Sequence, residues 1–291
     1  MSQLTLNAED LALCQSIMKK HGVSYAFATR FFPPEKRAAT AVLYAFFRKP
    51  DDVVDDANGS LAEKRAALLA WNESWSLHAS GRADTDPILR AAAAVFAQYR
   101  IPTEYGQAFL AAMFQDLEVS RYATYADLVA YMYGSAAVVG FMMSYVIGFK
   151  HADTLKYAQA LGEAMQLTNF LRDIKEDLLA RGRVYLPMED LERFQVTVED
   201  LERGVVTPGI KALLQFECSR ARALYALADD GIKYLDPSGQ LAVRVASGLY
   251  AAILDRIKAA DYDVFTKRRR TTLLHKLFLT YKIWKKQAST Q

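Results

Sequence analysis

Residues 166–177 read QLTNFLRDIKED, and this stretch decides the fold. Asn169, Asp173 and Asp177 are spaced i, i+4 and i+8, so a helix would place them in one stripe. The stripe continues the apolar run EAMQLTNF, and polar side chains that continue a buried face point inward rather than to water. We therefore predict a helix that presents these three residues, the second row, to the interior.

A shorter acidic stripe lies earlier in the chain, where residues 44–56 read YAFFRKPDDVVDD. Asp51 and Asp55, the first row, are four positions apart, which on a helix is about 6 Å along one face. Two carboxylates at this spacing repel each other unless a cation lies between them. The geometry requires a helix from Asp51 to Asp55, and Pro50 would either kink that helix or start a new one.

Oxygen ligands in such sets predict a site for a hard cation, Mg²⁺ or Mn²⁺. Mg²⁺ commonly completes its coordination shell with water and substrate phosphates. Arg48 and Arg172 stand beside the two rows, and arginine makes bidentate contacts to phosphate groups. The pattern predicts a metal–diphosphate site between two helices at the opening of an apolar core. The alternative is two acidic helix ends in solvent.

The composition narrows the class of protein. The chain has 291 residues, of which 52% are hydrophobic and 24% charged, so a folded core is expected rather than disorder. Its net charge of +3 is too balanced to predict a nucleic-acid partner. Cys14 and Cys218 are too few for a disulfide framework, and residues 1–20 lack an apolar leader. We expect a cytoplasmic protein.

Helical spacing of apolar residues dominates the chain, with short breaks that contain Gly or Pro. We predict one all-α domain over residues 1–291 with roughly ten helices. Thr124 and Asp127 resemble a capping box shortly before the uncharged stretch 131–149. That stretch is long enough to span a membrane, but its Gly, Ser and Tyr content favours a helix buried in the core.

Several familiar chemistries lack their motifs. The sequence contains no GxGxxG, GxxxxGK[ST], HExxH or CxxC pattern. None of its four histidines follows a glutamate by three positions, which argues against a di-iron carboxylate bundle.

The two rows and their surroundings resemble the squalene/phytoene synthases, which are head-to-head trans-prenyl diphosphate synthases, and most of all the bacterial phytoene or dehydrosqualene synthases. YAFFRKPDDVVD resembles the first aspartate motif of that family, and QLTNFLRDIKEDLLARGRVYLP resembles the second. DLEVSRY, YMYGSAAVVGFMM and LYAAILDRIKAADYDVF resemble further segments of its catalytic domain. The resemblance covers nearly the whole chain and implies an all-α isoprenoid-synthase fold around a central apolar cavity.

The resemblance also implies roles for individual residues. The implied metal ligands are Asp51, Asp55, Asn169, Asp173 and Asp177. The implied catalytic residues are the four aspartates of that set together with Tyr250. The implied substrate-binding residues are His21, Ser24, Tyr44, Arg48, Tyr131, Gln166 and Arg172. The segment of residues 21–25 is shorter than is common in the family, and it contains Ser24.

The implied activity is Mg²⁺- or Mn²⁺-dependent prenyl transfer. Two prenyl diphosphates condense head to head through a cyclopropylcarbinyl diphosphate and release pyrophosphate. The first interpretation is phytoene (C40) from geranylgeranyl diphosphate, and the alternative is squalene or dehydrosqualene (C30) from farnesyl diphosphate. NADPH is needed only if the product is squalene. A non-catalytic lipid-binding or assembly factor on the same fold is an alternative of another class, and protein partners are not predicted.

A carbocation formed from a prenyl chain needs a dry cavity, and aromatic ring faces stabilise such a cation. Five aromatic residues are candidates for this role: Phe27, Tyr44, Tyr131, Tyr133 and Tyr250.

The end of the chain is basic, since residues 267–291 contain eight Lys or Arg and no acidic residue. Leu274, Leu277, Phe278, Tyr281 and Trp284 recur at i, i+3, i+4, i+7 and i+10, which predicts a basic amphipathic helix at about 271–286. This helix either makes a peripheral contact with an anionic membrane or packs its apolar stripe on the body of the protein.

Overall fold

The computed structural model describes residues 6–82 and 85–288, which form fourteen α-helices and no strand. In chain order the helices are α1 (Ala8–His21), α2 (Val23–Ala28), α3 (Pro34–Asp55), α4 (Leu61–Ala79), α5 (Pro87–Tyr99), α6 (Thr103–Glu118), α7 (Tyr125–Met132), α8 (Val138–Ile147), α9 (Thr154–Arg181), α10 (Met188–Arg193), α11 (Val198–Arg203), α12 (Pro208–Gly231), α13 (Pro237–Ala259) and α14 (Leu273–Ala288). The prediction of an all-α fold is confirmed.

The count exceeds the roughly ten helices expected for two local reasons. The helices α2, α10 and α11 have only six residues each, too short to stand out by periodicity. A single long helix is also divided into α7 and α8 by a π turn at Tyr133–Ala137.

Most helices begin at a capping residue or a proline, as the sequence predicts. Ser60, Thr124 and Thr197 each form a capping box with the acidic residue three positions later. The helices α3, α5, α12 and α13 have a proline at their first turn, where its missing N–H costs nothing. The predicted breaks at these prolines are therefore helix boundaries.

Pro50 is the exception, because it lies inside α3 and not at a boundary. The helix continues to Asp55, so Asp51 and Asp55 keep the i, i+4 relation that the first row requires. Pro50 itself is buried against the core.

The apolar helix predicted from the stretch 131–149 lies in the interior. The segment Tyr125–Ile147 is long and apolar enough to cross a membrane by length and composition, but two thirds of its most apolar window is buried inside the protein. Close backbone contacts hold it in place. A Cβ atom at Gly134 would lie 2.6 Å from the Ala108 carbonyl oxygen, and one at Gly162 would lie 2.6 Å from that of Ala136.

The longest helix, α9, organises the interior. It contacts α8, α12 and α13, and one cluster of buried apolar residues extends from Cys14 to Phe265. The chain therefore surrounds α9 with its own apolar helices, and the second row lies near the C-terminal end of this central element.

Candidate active site

A cavity of about 840 Å³ runs along α9. The wall formed by α9 extends from Thr154 to Arg181, and α3, α8 and α13 are among the helices that contribute the other walls. One end, the charged end, collects the two rows and several arginines. The opposite end is lined mainly by apolar residues. The arrangement matches the central apolar cavity that the sequence predicts.

The first row enters the charged end from the last turns of α3, where Asp51 and Asp55 both line the cavity. Arg48 lies on the same helix, with its Nη1 2.8 Å from Asp51 Oδ2 and its Nη2 2.5 Å from Asp52 Oδ1. Asp52 is not among the residues that line the cavity. The i, i+4 members of the acidic cluster are thus the ones that face the interior.

The second row enters from α9, where Asn169, Asp173 and Asp177 also line the cavity. Arg172 donates from Nε and Nη2 to the two carboxylate oxygens of Asp173 at 2.8 and 2.6 Å. Arg268, in the segment before α14, donates to the same carboxylate at 2.7 Å. The Oδ1 atom of Asn169 is buried and accepts no hydrogen bond from any residue that the structure describes.

Arg181 lies between the two rows. Its Nε is 2.8 Å from Asp55 Oδ1, and its Nη1 is 2.9 Å from Asp177 Oδ1. The guanidinium group therefore occupies the position where like-charged carboxylates from α3 and α9 need a cation. This bridging residue was not among the predicted site residues.

Two carboxylates of the charged end, those of Asp51 and Asp177, have raised pKa values. Burial inside the cavity and the neighbouring Asp55 raise the pKa of Asp51 to about 7, against the opposing effect of Arg48. Burial also raises the pKa of Asp177 to about 7, although Arg181 acts in the other direction. A divalent cation that binds these two carboxylates would displace their protons, because only the ionised form is a ligand.

A buried hydrogen-bond network adjoins the first row. Asp116 on α6 accepts hydrogen bonds from the Tyr131 hydroxyl at 2.8 Å and from the Tyr185 hydroxyl at 3.0 Å. Arg183 Nη1 lies 3.4 Å from both the Tyr185 hydroxyl and Asp55 Oδ1. Burial raises the pKa of Asp116 to about 6, despite Arg183 and the two tyrosines.

Sequence reasoning missed Asp116, Arg183 and Tyr185 as site residues. Asp116 opens the quoted segment DLEVSRY, and the other two belong to RGRVYLP, so the motifs contained the signal. Their spacing does not show that Tyr185, 69 positions away, returns to the same carboxylate.

The predicted substrate-binding residues all line the cavity, as does Tyr250; they are His21, Ser24, Tyr44, Arg48, Tyr131, Gln166 and Arg172. Burial raises the pKa of both Tyr44 and Tyr250, so these hydroxyls are neutral at physiological pH.

Two of the aromatic candidates lie elsewhere. Phe27 is not among the lining residues and packs instead in a small apolar cluster with Val245 and Leu249. Tyr133 is also outside the lining set, and 44% of its surface is exposed. The prediction that these two rings face the cavity is wrong, because Phe27 packs between α2 and α13 and Tyr133 lies at the surface where the π turn begins.

The donor set fits divalent ions that a diphosphate helps to hold. In the described ranges, no three Asp, Glu, His or Cys side chains converge on a preformed metal centre. Arginines lie between the carboxylates instead. Every predicted ligand nevertheless offers oxygen from a facing wall, and Asn169 Oδ1 is buried without a donor. Mg²⁺ commonly takes one or two carboxylates and completes its shell with substrate phosphates.

Comparison with known proteins identifies the family. A family model described as squalene/phytoene synthase matches residues 18–275, which is most of the chain. The chain belongs to the squalene/phytoene synthase family. It is therefore a prenyltransferase with the all-α isoprenoid-synthase fold, and the expected head-to-head condensation of prenyl diphosphates is confirmed as its class of reaction.

Two similar sequences are phytoene synthases. A 15-cis-phytoene synthase from Synechococcus elongatus is 32% identical, and the alignment covers 91% of this chain and 89% of the relative. A phytoene synthase from Cereibacter sphaeroides is 34% identical over 92% of this chain and 77% of its own length.

Two similar solved structures are a dehydrosqualene synthase and a squalene synthase. A dehydrosqualene synthase in complex with ligand superposes with a TM-score of 0.90 at 29% identity, covering 97% of both chains. The squalene synthase HpnC from Alicyclobacillus acidocaldarius superposes with a TM-score of 0.80 at 28% identity, covering 88% of this chain and 95% of the other.

Proposed function

We propose that this protein is a Mg²⁺-dependent phytoene synthase that joins two geranylgeranyl diphosphate molecules. The observation that carries the proposal is the pair of oxygen-bearing rows on facing walls of an apolar cavity, with arginines around them. Phytoene synthase relatives that match most of the chain support this product over the alternatives.

The chain's own residues would bind the diphosphate at the charged end. Asp51, Asp55, Asn169, Asp173 and Asp177 would hold Mg²⁺ or Mn²⁺, which when bound supplies Lewis-acid stabilisation of the departing diphosphate. Arg48, Arg172 and Arg268 lie close enough to these aspartates to turn their N–H groups toward phosphate oxygens. Charge-assisted hydrogen bonds of this kind orient the leaving group.

The rest of the cavity would protect the cation left on the prenyl chain. Apolar side chains from α8, α9 and α13 exclude water, and the rings of Tyr44, Tyr131 and Tyr250 face the same space. The double bond of the second prenyl chain would attack this cation, and loss of a proton would give the cyclopropylcarbinyl diphosphate. The Tyr131 hydroxyl, bonded to Asp116, is placed to hold or pass on that proton, and released pyrophosphate is the alternative base.

Two alternative functions differ from phytoene synthesis in their substrates or in having no reaction. Squalene or dehydrosqualene formation uses farnesyl diphosphate, and the similarity to solved synthases of those products favours it as the second candidate. NADPH enters only if squalene is the product. A non-catalytic lipid-binding role would leave the aspartate rows unexplained, since all five members line the cavity.

The decisive experiment is incubation of the purified protein with farnesyl or geranylgeranyl diphosphate, with and without Mg²⁺ and NADPH, followed by hydrocarbon extraction. We expect phytoene from geranylgeranyl diphosphate, only with the divalent ion and independent of NADPH. A C30 product, or a hydrocarbon formed in excess chelator, would contradict the proposal.

The proposal extends to location: a cytoplasmic enzyme that touches a membrane through α14. This helix packs on α13 and α2 with Leu279 and Ile283, while Lys276 lies on the same inner side over Phe27. The apolar stripe points away from the protein, so the alternative in which that stripe packs on the body does not describe this helix. Its members are 51–80% exposed: Leu274, Leu277, Phe278, Tyr281 and Trp284.

An outward apolar stripe flanked by lysines complements an anionic bilayer. The cavity wall includes Arg270, Thr271 and Lys276, so the start of α14 and its inner side lie beside the cavity from which a lipid product would leave. We expect co-sedimentation with phosphatidylglycerol-containing vesicles and not with phosphatidylcholine alone. The variant Leu277→Ser/Phe278→Ser should stay in the supernatant, whereas the matched surface change Leu69→Ser/Val205→Ser should not alter binding. Binding unchanged by the α14 variant would contradict membrane contact through this helix.

A further inference from the structure

The helix that carries Tyr131 changes its hydrogen-bond pattern beside the cavity. Between α7 and α8, Tyr133–Ala137 form a π turn in which the Val138 amide donates to the carbonyl of Tyr133. A π turn holds one residue more than an α-helical turn, so the part of the helix before it is rotated by about 100° relative to the part after it. Turns of this kind are frequent at functional sites.

This rotation decides which way Tyr131 points. After the π turn, the residues that line the cavity recur at helical spacing and form one face of the helix: Val139, Gly140, Met143, Ser144 and Ile147. In an uninterrupted α-helix, at about 100° per residue, Tyr131 would lie about 150° from the centre of that face, on the other side of the helix. The extra residue reduces this angle to about 50°, which is inside a face about 140° wide. Tyr131 therefore lines the cavity together with α8.

The same direction brings the Tyr131 hydroxyl to Asp116. The hydroxyl donates to Asp116 Oδ2 at 2.8 Å, and the ring packs against Tyr122 and Tyr185 with centroids 5.2 and 5.7 Å away. Tyr131 is buried among these neighbours, and a close-packed interior leaves a ring of this size few alternative positions. The backbone of the helix, and not free rotation of the side chain, therefore sets where the hydroxyl lies.

Two neighbouring helices clamp the π turn. On one side Gly134 packs on α6, where a Cβ atom would lie 2.6 Å from the Ala108 carbonyl oxygen. On the other side Gly162 of α9 packs on the turn itself, where a Cβ atom would lie 2.6 Å from the Ala136 carbonyl oxygen. Backbones this close leave no room for a side chain at either glycine. Because α6 also carries Asp116, one helix fixes both the turn that directs the hydroxyl and the carboxylate that accepts from it.

We infer that the π turn and Gly134 position Tyr131 for the reaction, an inference that rests on the proposed function. In that function the Tyr131 oxygen takes up the proton that the prenyl carbon loses, while the hydroxyl proton passes to the Asp116 carboxylate. The extra residue of the turn lets one helix do two things that regular α-helical geometry separates. It directs the hydroxyl to Asp116, and it presents the apolar face of α8 to the same cavity. Gly134 is thus a positioning residue that acts through Tyr131.

The test is a double-mutant cycle with Tyr131→Phe, which should itself lower kcat by about tenfold to a hundredfold. Gly134→Ala inserts a methyl group against α6 and should lower kcat by about tenfold in the wild type. In the Tyr131→Phe protein it should lower kcat by less than about twofold, because the contact it disturbs is already absent. Gly140→Ala is the matched control, since its methyl group would lie equally close, 2.6 Å, to the Ala158 carbonyl oxygen but after the turn. Its effect on kcat should be the same in both backgrounds.

The hydroxyl itself provides a second readout that does not depend on turnover. In protein made with isotope-labelled tyrosine, the NMR resonance of the hydroxyl-bearing ring carbon of Tyr131 is assigned by its absence from Tyr131→Phe. It should move in Gly134→Ala toward its position in Asp116→Asn and stay in place in Gly140→Ala. Deletion of Ser135 removes the extra residue and should move the resonance further; if that protein does not fold, Gly134→Ala is the smaller step in the same direction.

Two results would overturn the inference: an unchanged Tyr131 resonance in folded Gly134→Ala protein, or a loss in kcat that adds fully to that of Tyr131→Phe. Absence of turnover in the wild type, with the resonance moving as expected, would instead count against the proposed function.

Discussion

The two aspartate rows are held in different ways. In the first row, Asp51 is paired with Arg48 three positions earlier, and 42% of its side chain is accessible because it lines the cavity. In the second row, Asp173 is 11% exposed and bonded to Arg268, which lies 95 positions away. The arginine partner of Asp51 is thus local to α3, whereas Asp173 gains its second arginine only when the segment before α14 folds across α9. We expect the second row to tolerate substitution least.

The largest expected effect is the loss of Asp173. Asp173→Ala should lower turnover by at least about a hundredfold, because it removes a predicted metal ligand and the partner of two arginines. Steady-state kinetics and thermal melting together would check that activity falls without general unfolding. Asp52→Ala is the control, since Asp52 pairs with Arg48 but does not line the cavity. A stable and fully active Asp173→Ala protein would remove the metal assignment.

A smaller loss of activity should follow from changing the buried hydrogen-bond network around Asp116, beside the first row. Asp116→Asn retains the size of the side chain but weakens its acceptance of hydrogen bonds from Tyr131 and Tyr185. We expect kcat to fall by about tenfold to a hundredfold, with little change in KM, if Tyr131 is positioned for proton transfer. Tyr185→Phe removes one of the two hydrogen bonds and should give an intermediate kcat. A rise in KM as large as the fall expected for kcat, with kcat itself unchanged, would indicate that the network acts only in substrate binding.

The connection between the rows can be tested without substrate. Arg181→Gln removes the guanidinium group between Asp55 and Asp177, so the metal-free protein should melt about 2 to 4 °C lower. Added Mg²⁺ should then raise the melting temperature more than in the wild type, because the ion no longer competes with Arg181. Arg222→Gln breaks an exposed pair with Asp255 and should change neither value noticeably. A variant as stable as the wild type in chelator would show that Arg181 does not hold the rows together.

The smallest expected effect is the pH dependence of ion binding. Asp51 and Asp177 have pKa values raised from 3.8 to about 7 in the folded protein. The folded state therefore keeps protons that the unfolded chain releases, and the stability of the metal-free protein should fall as pH rises from about 4 through about 7. Mg²⁺ binding requires the ionised carboxylates, so affinity should increase over the upper part of this window. Calorimetry in buffers of different ionisation enthalpy would detect the released protons, and pH-independent binding without proton release would contradict the shifts.

Much of the charged end was predictable from the sequence because the residues of its two rows recur at helical spacing. The i, i+4 and i+8 positions that define the two rows need only that α3 and α9 be helical, which apolar periodicity indicates over such lengths. The same holds for the capping box at Thr124 and the buried helix that follows it. Arg181 continues the same spacing four positions after Asp177 and could have been selected in this way. Spacing does not report on side chains that meet from distant segments, and for that reason the contact of Tyr185 with Asp116 was not predicted.

The C-terminal helix shows a second limit of prediction from the sequence: the helix was predicted, but its orientation was not. Its amphipathic stripe was predicted at about 271–286, and α14 occupies Leu273–Ala288. Which side of the helix would face the protein did not follow from the pattern, because both a membrane and a protein core bury apolar side chains. The packing of Leu279 and Ile283 on α13 and α2 decides it.

The sequence by itself determined the helical class, the two oxygen-bearing stripes and the chemistry those oxygens favour, because each depends on residues within a few turns of one helix. Only the tertiary structure decided that the stripes face each other, that Asp116 lies beside the first row and how deep the cavity is. Those properties depend on contacts between residues far apart in the chain, such as the hydrogen bond from the Asp236 amide to the Gly148 carbonyl.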